Sequence, residues 1–234
     1  MTDRTIYLDN NATTRPDPAV IDAMMPFLTE RYGNPSSIHT FGGSVHRHVE
    51  QARAQLGDLL GADPSELIFT SCGTESDNAA LLSTLENDVA RRKVVTTRVE
   101  HPAVLGLAKV LQRRGYRVEY APVNKHGQLC MDTLCKMVDE TTAVVSVMWA
   151  NNETGNIFPV HEIAEIAHQS GALFHTDAVQ AAGKEPMDLS RNDIDMLSLS
   201  GHKLHAPKGI GALYVKHGTP FNQFLIGGHQ EFGM

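Results

Sequence analysis

The sequence has few cysteines and no long apolar segment. Its 234 residues include three cysteines, an odd number that argues against a disulfide framework and favours a reducing compartment. No run of about 18 apolar residues is present. There is also no charged-then-apolar leader, so we expect neither a membrane span nor an export signal. These absences together predict a cytoplasmic protein.

Positive charge is also scarce. Lysine and arginine number 20 against 27 aspartate and glutamate residues, giving a net charge of −7, so nucleic acid is not an expected partner. The 12 histidines do not form a metal pattern. Glu165 stands where a zinc protease motif starting at His161 would need a second histidine. Cys130 and Cys135 have the wrong spacing for a zinc knuckle or a redox pair. We therefore expect no metal site.

Apolar segments alternate with helical patterns along most of the chain. With 41% hydrophobic residues the chain can bury one sizeable core. The alternation predicts an α/β fold with a mostly parallel sheet flanked by helices. Residues 1–40 are predicted to form an irregular N-terminal arm that could wrap a partner subunit, and residues 41–234 the main domain. Strands are predicted at 67–70, 94–99, 117–121, 143–149, 172–176, 194–199 and 211–215, and helices at 46–60, 75–86, 102–114, 131–139 and 160–170.

A lysine follows closely on the apolar segment 194–199. Lys203 stands next to Ser200, Gly201 and His202, neighbours that a solvated surface lysine does not need. A free lysine amine titrates near 10.4, so only about one in 2,500 is neutral and nucleophilic at pH 7. If the amine forms a covalent Schiff base with pyridoxal phosphate, its reactivity serves a chemical purpose. From this segment alone, the alternative that Lys203 is an ordinary lysine at a strand end, beside an Ala-Pro turn, fits the sequence about equally well.

A carboxylate ends the apolar segment 172–176. Asp177 would lie at the carboxyl end of its strand, where open α/β sheets bind ligands. Pyridoxal phosphate needs a carboxylate to keep its ring nitrogen protonated, and Asp177 fits that requirement. Gln180 could then donate to the phenolate oxygen of the ring. The alternative is that Asp177 caps a following helix.

Three other strand ends carry polar residues that suit the same cofactor. Gly73 and Thr74 precede a helix whose free N–H groups suit a phosphate, although an ordinary cap with acids in the first turn fits equally well. His101 could stack on an aromatic ring and move protons near neutral pH, or it could be a loop residue before a proline. Asn152 could contact a substrate or ring oxygen, or simply belong to a turn.

Seven phrases of this chain, taken in order, resemble cysteine desulfurases, and the chain looks most like the nitrogen-fixation type. The resemblance covers nearly all of the sequence. It implies a fold-type-I pyridoxal-phosphate transferase large domain of the class V aminotransferase family. The phrases occupy residues 7–14, 33–37, 71–76, 100–103, 150–155, 175–180 and 200–203.

The resemblance also implies a role for each candidate residue. Lys203 would hold the cofactor covalently and shuttle the α-proton of the substrate. Asp177 would pair with the pyridine nitrogen and Gln180 with the phenolate oxygen, while His101 would stack on the ring and assist proton transfer. The remaining implied contacts are Gly73, Thr74, Ser200 and His202 to the phosphate, and Asn152 to cofactor and substrate.

The reaction implied by the resemblance converts L-cysteine to L-alanine and leaves the sulfur as an enzyme persulfide. A homodimer would pass that sulfur to an iron–sulfur scaffold or another acceptor protein for iron–sulfur (nitrogenase) cluster assembly. Two alternatives remain open. One is another fold-type-I pyridoxal-phosphate enzyme, an aminotransferase or a selenocysteine lyase. The other is a non-catalytic fragment that binds cofactor or dimerises.

The chain departs from the family in its sulfur chemistry. None of Cys72, Cys130 and Cys135 matches the position of the family's persulfide-forming cysteine. That cysteine, the arginine for the substrate carboxylate and the smaller C-terminal domain would lie beyond Met234. We therefore expect a C-terminally truncated desulfurase that holds the cofactor but releases no meaningful sulfide.

Overall fold

A seven-stranded sheet forms the centre of the computed structural model, which describes residues 6–234. Residues 1–5, the start of the predicted arm, lie outside the described residues. In chain order the strands are β1 (Leu67–Thr70), β2 (Lys93–Thr97), β3 (Arg117–Ala121), β4 (Thr142–Ser146), β5 (Leu173–Asp177), β6 (Met196–Ser200) and β7 (Gly211–Val215).

Six α-helices are present in the described part of the chain. Short 3₁₀ turns occur at Pro64–Glu66, Leu189–Arg191, Gly201–Lys203 and Glu231–Gly233. The α-helices are α1 (Pro18–Thr29), α2 (Thr40–Leu60), α3 (Gly73–Asn87), α4 (Pro102–Arg113), α5 (Met131–Met137) and α6 (Val160–Gln169).

The strand order across the sheet is β1-β7-β6-β5-β4-β2-β3. The five strands from β6 to β3 pair in parallel, and β7 runs antiparallel to both of its neighbours, β1 and β6. The predicted α/β fold with a mostly parallel sheet is therefore confirmed. Because β1 and β6 both oppose β7, the carboxyl end of β1 lies at the same edge as those of the parallel strands.

The central strands are covered on both faces. Every residue of β2, β4 and β6 is buried, as expected for parallel strands with helices on either side. One core cluster contains Phe174, Tyr214 and Ile163, and a second packs Leu81 and Leu85 of α3 against α4. No helix within residues 6–234 is both long enough and apolar enough to cross a membrane.

The prediction of an irregular N-terminal arm is wrong for residues 18–29, which form α1. Asp17 caps this helix by accepting a hydrogen bond from the Ala19 N–H, and Pro18 occupies its first position. Apolar residues recur at helical spacing within α1, at Val20, Met24 and Phe27, but Pro26 inside the segment argues against a helix and obscures it in the sequence.

Helix α2 begins at Thr40, six residues before the predicted start. Gly42 and Gly43 in its first turn lower the helix propensity of this segment and hide the start of the helix. Gly42 is required by packing, because an added Cβ would lie 2.4 Å from the Asn34 carbonyl oxygen. The other predicted helices and strands are found with shifts of a few residues at their ends.

Candidate active site

The carboxyl ends of five strands meet at one cavity of about 670 Å³. Side chains reach it from the ends of β1, β2, β4, β5 and β6. All nine site residues predicted from the sequence line this cavity, although their individual roles remain predictions. They are Gly73, Thr74, His101, Asn152, Asp177, Gln180, Ser200, His202 and Lys203.

Lys203 ends the short turn that follows β6. Its Nζ donates hydrogen bonds to the Ala12 carbonyl oxygen at 2.8 Å and to the Asn11 carbonyl oxygen. Burial, followed by the positive charge of Lys184, lowers the pKa of Lys203, while Asp177 acts in the opposite direction. A lower pKa enlarges the neutral, nucleophilic fraction of the amine.

Asp177 is the last residue of β5 and is only 6% exposed. Its Oδ1 accepts a hydrogen bond from the Val179 N–H at 2.9 Å. Only turns follow β5 up to residue 188, so the alternative that Asp177 caps a following helix is wrong. Burial raises the pKa of Asp177, and the Val179 N–H and the charges of His101 and Lys203 oppose that rise. The carboxyl group therefore lies in the cavity wall while also fixing the turn after β5.

His101 is the N-cap residue of α4. Its Nδ1 accepts a hydrogen bond from the Ala103 N–H at 3.2 Å, so the neutral ring carries its proton on Nε2. The preceding Glu100 is buried and accepts hydrogen bonds from Thr97 Oγ1 at 2.7 Å and the Met148 N–H at 3.0 Å. Glu100 thereby ties the segment before α4 to the segment after β4, and burial raises its pKa to about 8.

The turn between β1 and α3 requires a glycine. A Cβ on Gly73 would lie 2.9 Å from Val179 Cγ2 and 3.3 Å from Ser200 Cβ. Within the described chain, the side chain of the N-cap residue Cys72 makes no hydrogen bond to the first turn of α3. The N–H groups at the start of α3, next to Thr74, are thus free of a side-chain cap and suited to an anion.

The alternative reading of this turn as an ordinary cap is partly correct. The Glu75 carboxylate reaches back and accepts hydrogen bonds from the Ser71 N–H at 2.9 Å and from the Ser71 hydroxyl. That contact satisfies a donor before the helix and leaves the first N–H groups of the helix untouched. The cap and an anion site are therefore compatible.

The N-terminal arm contributes residues to which the sequence assigned no role. The Asn11 carbonyl oxygen accepts a hydrogen bond from Gln180 Nε2 at 2.8 Å, and Asn11 Nδ2 donates to the Asn152 carbonyl oxygen at 3.1 Å. Thr13 Oγ1 lies 3.1 Å from His202 Nδ1. The described part of the arm thus contacts the site of its own chain. The feature of the sequence that could have indicated this contact is the segment at residues 7–14, one of the seven that resemble cysteine desulfurases.

Burial, followed by the charge of Lys203, lowers the pKa of His202. His202 lines the cavity, and a neutral imidazole there can accept or donate a hydrogen bond to a ligand. Ser200, at the end of β6, is 4% exposed and lines the cavity beside it.

The three cysteines occupy different places. Cys72 lines the cavity at the start of α3. Cys130 precedes α5 and Cys135 lies within it, on the helix that packs beside β3 at the edge of the sheet. Among residues 6–234, no three histidine, cysteine or acidic side chains come close enough together to hold a metal ion.

The sequence and fold were compared with known proteins. The family model "Aminotransferase class-V" matches residues 6–232. The chain is 57% identical over 228 residues to a "Cysteine desulfurase" of a Nostoc species, covering 97% of this chain and 57% of the relative. It is 55% identical over 229 residues to "Cysteine desulfurase NifS" of Azotobacter vinelandii, covering 97% and 57%. The chain therefore spans little more than half the length of these relatives.

Solved structures are similar over the same region. A "NIFS-LIKE PROTEIN" superposes with a TM-score of 0.95 at 43% identity, covering 98% of this chain and 64% of the other. A structure titled "SspA in complex with cysteine" superposes with a TM-score of 0.93 at 34% identity, covering 98% and 67%.

Proposed function

Because the chain belongs to the aminotransferase class-V family, we propose that it is the cofactor-binding part of a cysteine desulfurase that uses pyridoxal 5′-phosphate. One observation carries the proposal: Lys203, Asp177 and His101 come from three separate strand ends and line a single cavity. Each is the residue type that a different part of the cofactor requires.

The residues of the cavity fit the cofactor group by group. The amine of Lys203, with its lowered pKa, suits the aldehyde. The buried carboxyl of Asp177 suits the ring nitrogen, and the uncapped start of α3 suits the phosphate. The close approach of Gly73 to Val179 leaves no room for a Cβ, as expected where backbone must approach a ligand.

When bound, pyridoxal phosphate supplies an electron sink for the negative charge that develops at the α-carbon of an amino acid. The residues of this chain control where protons and charge reside. With the cofactor bound, the Asp177 carboxylate would hold a proton on the ring nitrogen, and that added positive charge would favour the ionised form of Asp177. The Lys203 amine would accept the α-proton of the substrate once it is free of the aldehyde, and the Nε2–H of His101 would donate a hydrogen bond into the cavity.

The proposed overall reaction converts L-cysteine to L-alanine and passes the sulfur, as a persulfide, to iron–sulfur cluster assembly. The relatives are cysteine desulfurases by name, which supports cysteine as substrate in preference to an aminotransferase or selenocysteine lyase reaction. Cys130 precedes α5 and Cys135 lies within it, and neither lines the cavity, so we do not assign the sulfur-accepting thiol to them. Cys72 is fixed at the start of α3 and is not assigned that role either.

We also propose that the protein acts as a homodimer in the cytoplasm. Apolar side chains of α1 support dimerisation, because Leu28 is 68% exposed and Met25 is 46% exposed. Three free cysteines support a reducing compartment.

The test of the proposed function is covalent labelling. The chain is incubated with pyridoxal phosphate, reduced with borohydride, digested and mapped by mass spectrometry. The label is expected on Lys203, and the Lys203→Ala variant should bind no cofactor covalently. Lys184 and Lys208 are built-in controls, since both lie near the cavity. A label on either of them in place of Lys203 would contradict the assignment.

A further inference from the structure

One buried carboxyl group in the cavity wall has no part in the chemistry described above. Asp77, in the second turn of α3, is 1% exposed and lines the cavity. Its Oδ1 has no hydrogen-bond partner among residues 6–234. The nearest basic group is His175 Nε2, at 3.6 Å. An uncompensated charge at this depth would be costly.

His175 supplies no positive charge to Asp77. It is fully buried on β5, and both ring nitrogens face serine hydroxyls: Nδ1 lies 2.9 Å from Ser146 Oγ and Nε2 2.9 Å from Ser198 Oγ. Burial lowers the pKa of His175 to about 3. The imidazole is therefore neutral at physiological pH.

The other groups that face Asp77 also disfavour its ionisation. Burial, followed by the negative charge of Asp177 on β5, raises the pKa of Asp77 well above its ordinary value. Glu100 and Cys72 act in the same direction, and only the Ser198 hydroxyl on β6 opposes them. The positive charge of Lys203 acts on Asp177. The wall can therefore compensate one negative charge, and Lys203 favours its location on Asp177.

We propose that Asp77 is a positioning residue that carries a proton at neutral pH and thereby leaves Asp177 to hold the single negative charge of this wall. The proposal rests on the proposed function for its consequence, because Asp177 matters there as the partner of the ring nitrogen. It predicts that the same substitution, aspartate to asparagine, has little effect on cofactor affinity at Asp77 and a large effect at Asp177.

The first measurement is the net charge of the folded chain. Capillary electrophoresis at about pH 7 compares the wild type, Asp77→Asn and the control Asp58→Asn, in which an exposed carboxylate on α2 is removed. Asp58→Asn should shift the mobility by one elementary charge, and Asp77→Asn should leave it unchanged. A shift in Asp77→Asn equal to that of the control would overturn the proposal.

The second measurement is the affinity for pyridoxal phosphate, read from its visible absorption band. Asp77→Asn should stay within about threefold of the wild type, because asparagine keeps the shape and the neutral charge of a protonated aspartate. Asp77→Ala and Asp177→Asn should each weaken binding by about tenfold or more, because one loses the supporting group and the other the charge. Equal losses in Asp77→Asn and Asp77→Ala would contradict a neutral positioning role.

The electrophoretic and binding measurements distinguish a failure of the proposal for Asp77 from a failure of the proposed function. A wild-type chain that binds no pyridoxal phosphate would refute the proposed function, and the electrophoretic result would still decide the state of Asp77. Should Asp77→Asn fail to fold, carbon-13 spectra of aspartate-labelled wild type and Asp77→Ala decide the state of Asp77. The wild type should show an aspartate carboxyl resonance at its protonated position at about pH 7 that Asp77→Ala lacks, and a wild type without such a resonance would refute the proposal.

Discussion

Replacing Glu100 with glutamine should remove a pH-dependent loss of stability. Glu100 is 4% exposed, and its carboxyl group accepts hydrogen bonds from Thr97 Oγ1 and the Met148 N–H. Glutamine has the same shape and can accept from the Met148 N–H while donating to Thr97 Oγ1. The variant therefore keeps the link between the segments that carry His101 and Asn152, but it cannot ionise.

The direction of the change in stability with pH follows from the pKa of Glu100 in the folded and in the unfolded chain. Burial raises the pKa of Glu100 from 4.5 to about 8. The carboxyl group of Glu100 therefore loses its proton near the lower pKa in the unfolded chain and near the higher pKa in the folded chain. Between these values the folded protein binds more protons than the unfolded chain, so the free energy of unfolding falls as the pH rises.

The size of the effect follows from the same two values. Each unit of pKa difference corresponds to about 1.36 kcal/mol. Between about pH 5 and about pH 8, ionisation of this one group should lower the free energy of unfolding by about 3 to 4 kcal/mol. That is a large fraction of the stability of an ordinary domain.

Urea unfolding of the wild type and of Glu100→Gln across this pH range measures the effect. Other groups contribute equally to both proteins, so the difference between the two curves isolates Glu100. The variant should gain relative to the wild type as the pH rises. The control Glu86→Gln removes an exposed carboxylate and should show no such gain. A difference between wild type and Glu100→Gln that does not change with pH would refute the reasoning.

Two further substitutions test the packing around the site. Gly73→Ala places a Cβ 2.9 Å from Val179 and 3.3 Å from Ser200, so it should weaken cofactor binding by about tenfold and cost about 1–3 kcal/mol of stability, measured by absorbance titration and urea unfolding. Arg53→Met should destabilise the fold by about 2–4 kcal/mol in urea unfolding, because the buried Arg53 side chain binds the Glu231 carboxylate at 2.7 and 2.9 Å and would leave it unpaired. Unchanged stability in either variant would contradict these packing arguments.

The sequence predicted most of the sheet and the position of the site because both depend on local patterns. The apolar segment predicted at 172–176 forms β5 at Leu173–Asp177, and Asp177 ends it as expected. The parallel strand direction then brings the residues at neighbouring carboxyl ends together. That is why residues as distant in the chain as Gly73 and Lys203 line one cavity.

The parts that escaped prediction depend on contacts between distant segments. Asn11 meets Gln180 across 169 positions, and no periodicity or spacing encodes that pairing. Asp77 stood in the sequence as one of several acids near the start of α3, where a helix favours negative charge. Only the fold shows that it is buried against His175 and not presented to solvent.

The way the N-terminal arm is anchored bears on how Lys203 reacts. The Asn11 and Ala12 carbonyl oxygens accept hydrogen bonds from the Lys203 amine and so favour its charged form, whereas burial favours the neutral form. The arm is fastened separately, because Thr14 Oγ1 donates to the His202 carbonyl oxygen at 2.8 Å and the Thr14 N–H donates to the same atom at 3.0 Å. In the proposed reaction of the Lys203 amine with an aldehyde, the amine would give up its two carbonyl partners while the Thr14 contacts still hold the arm.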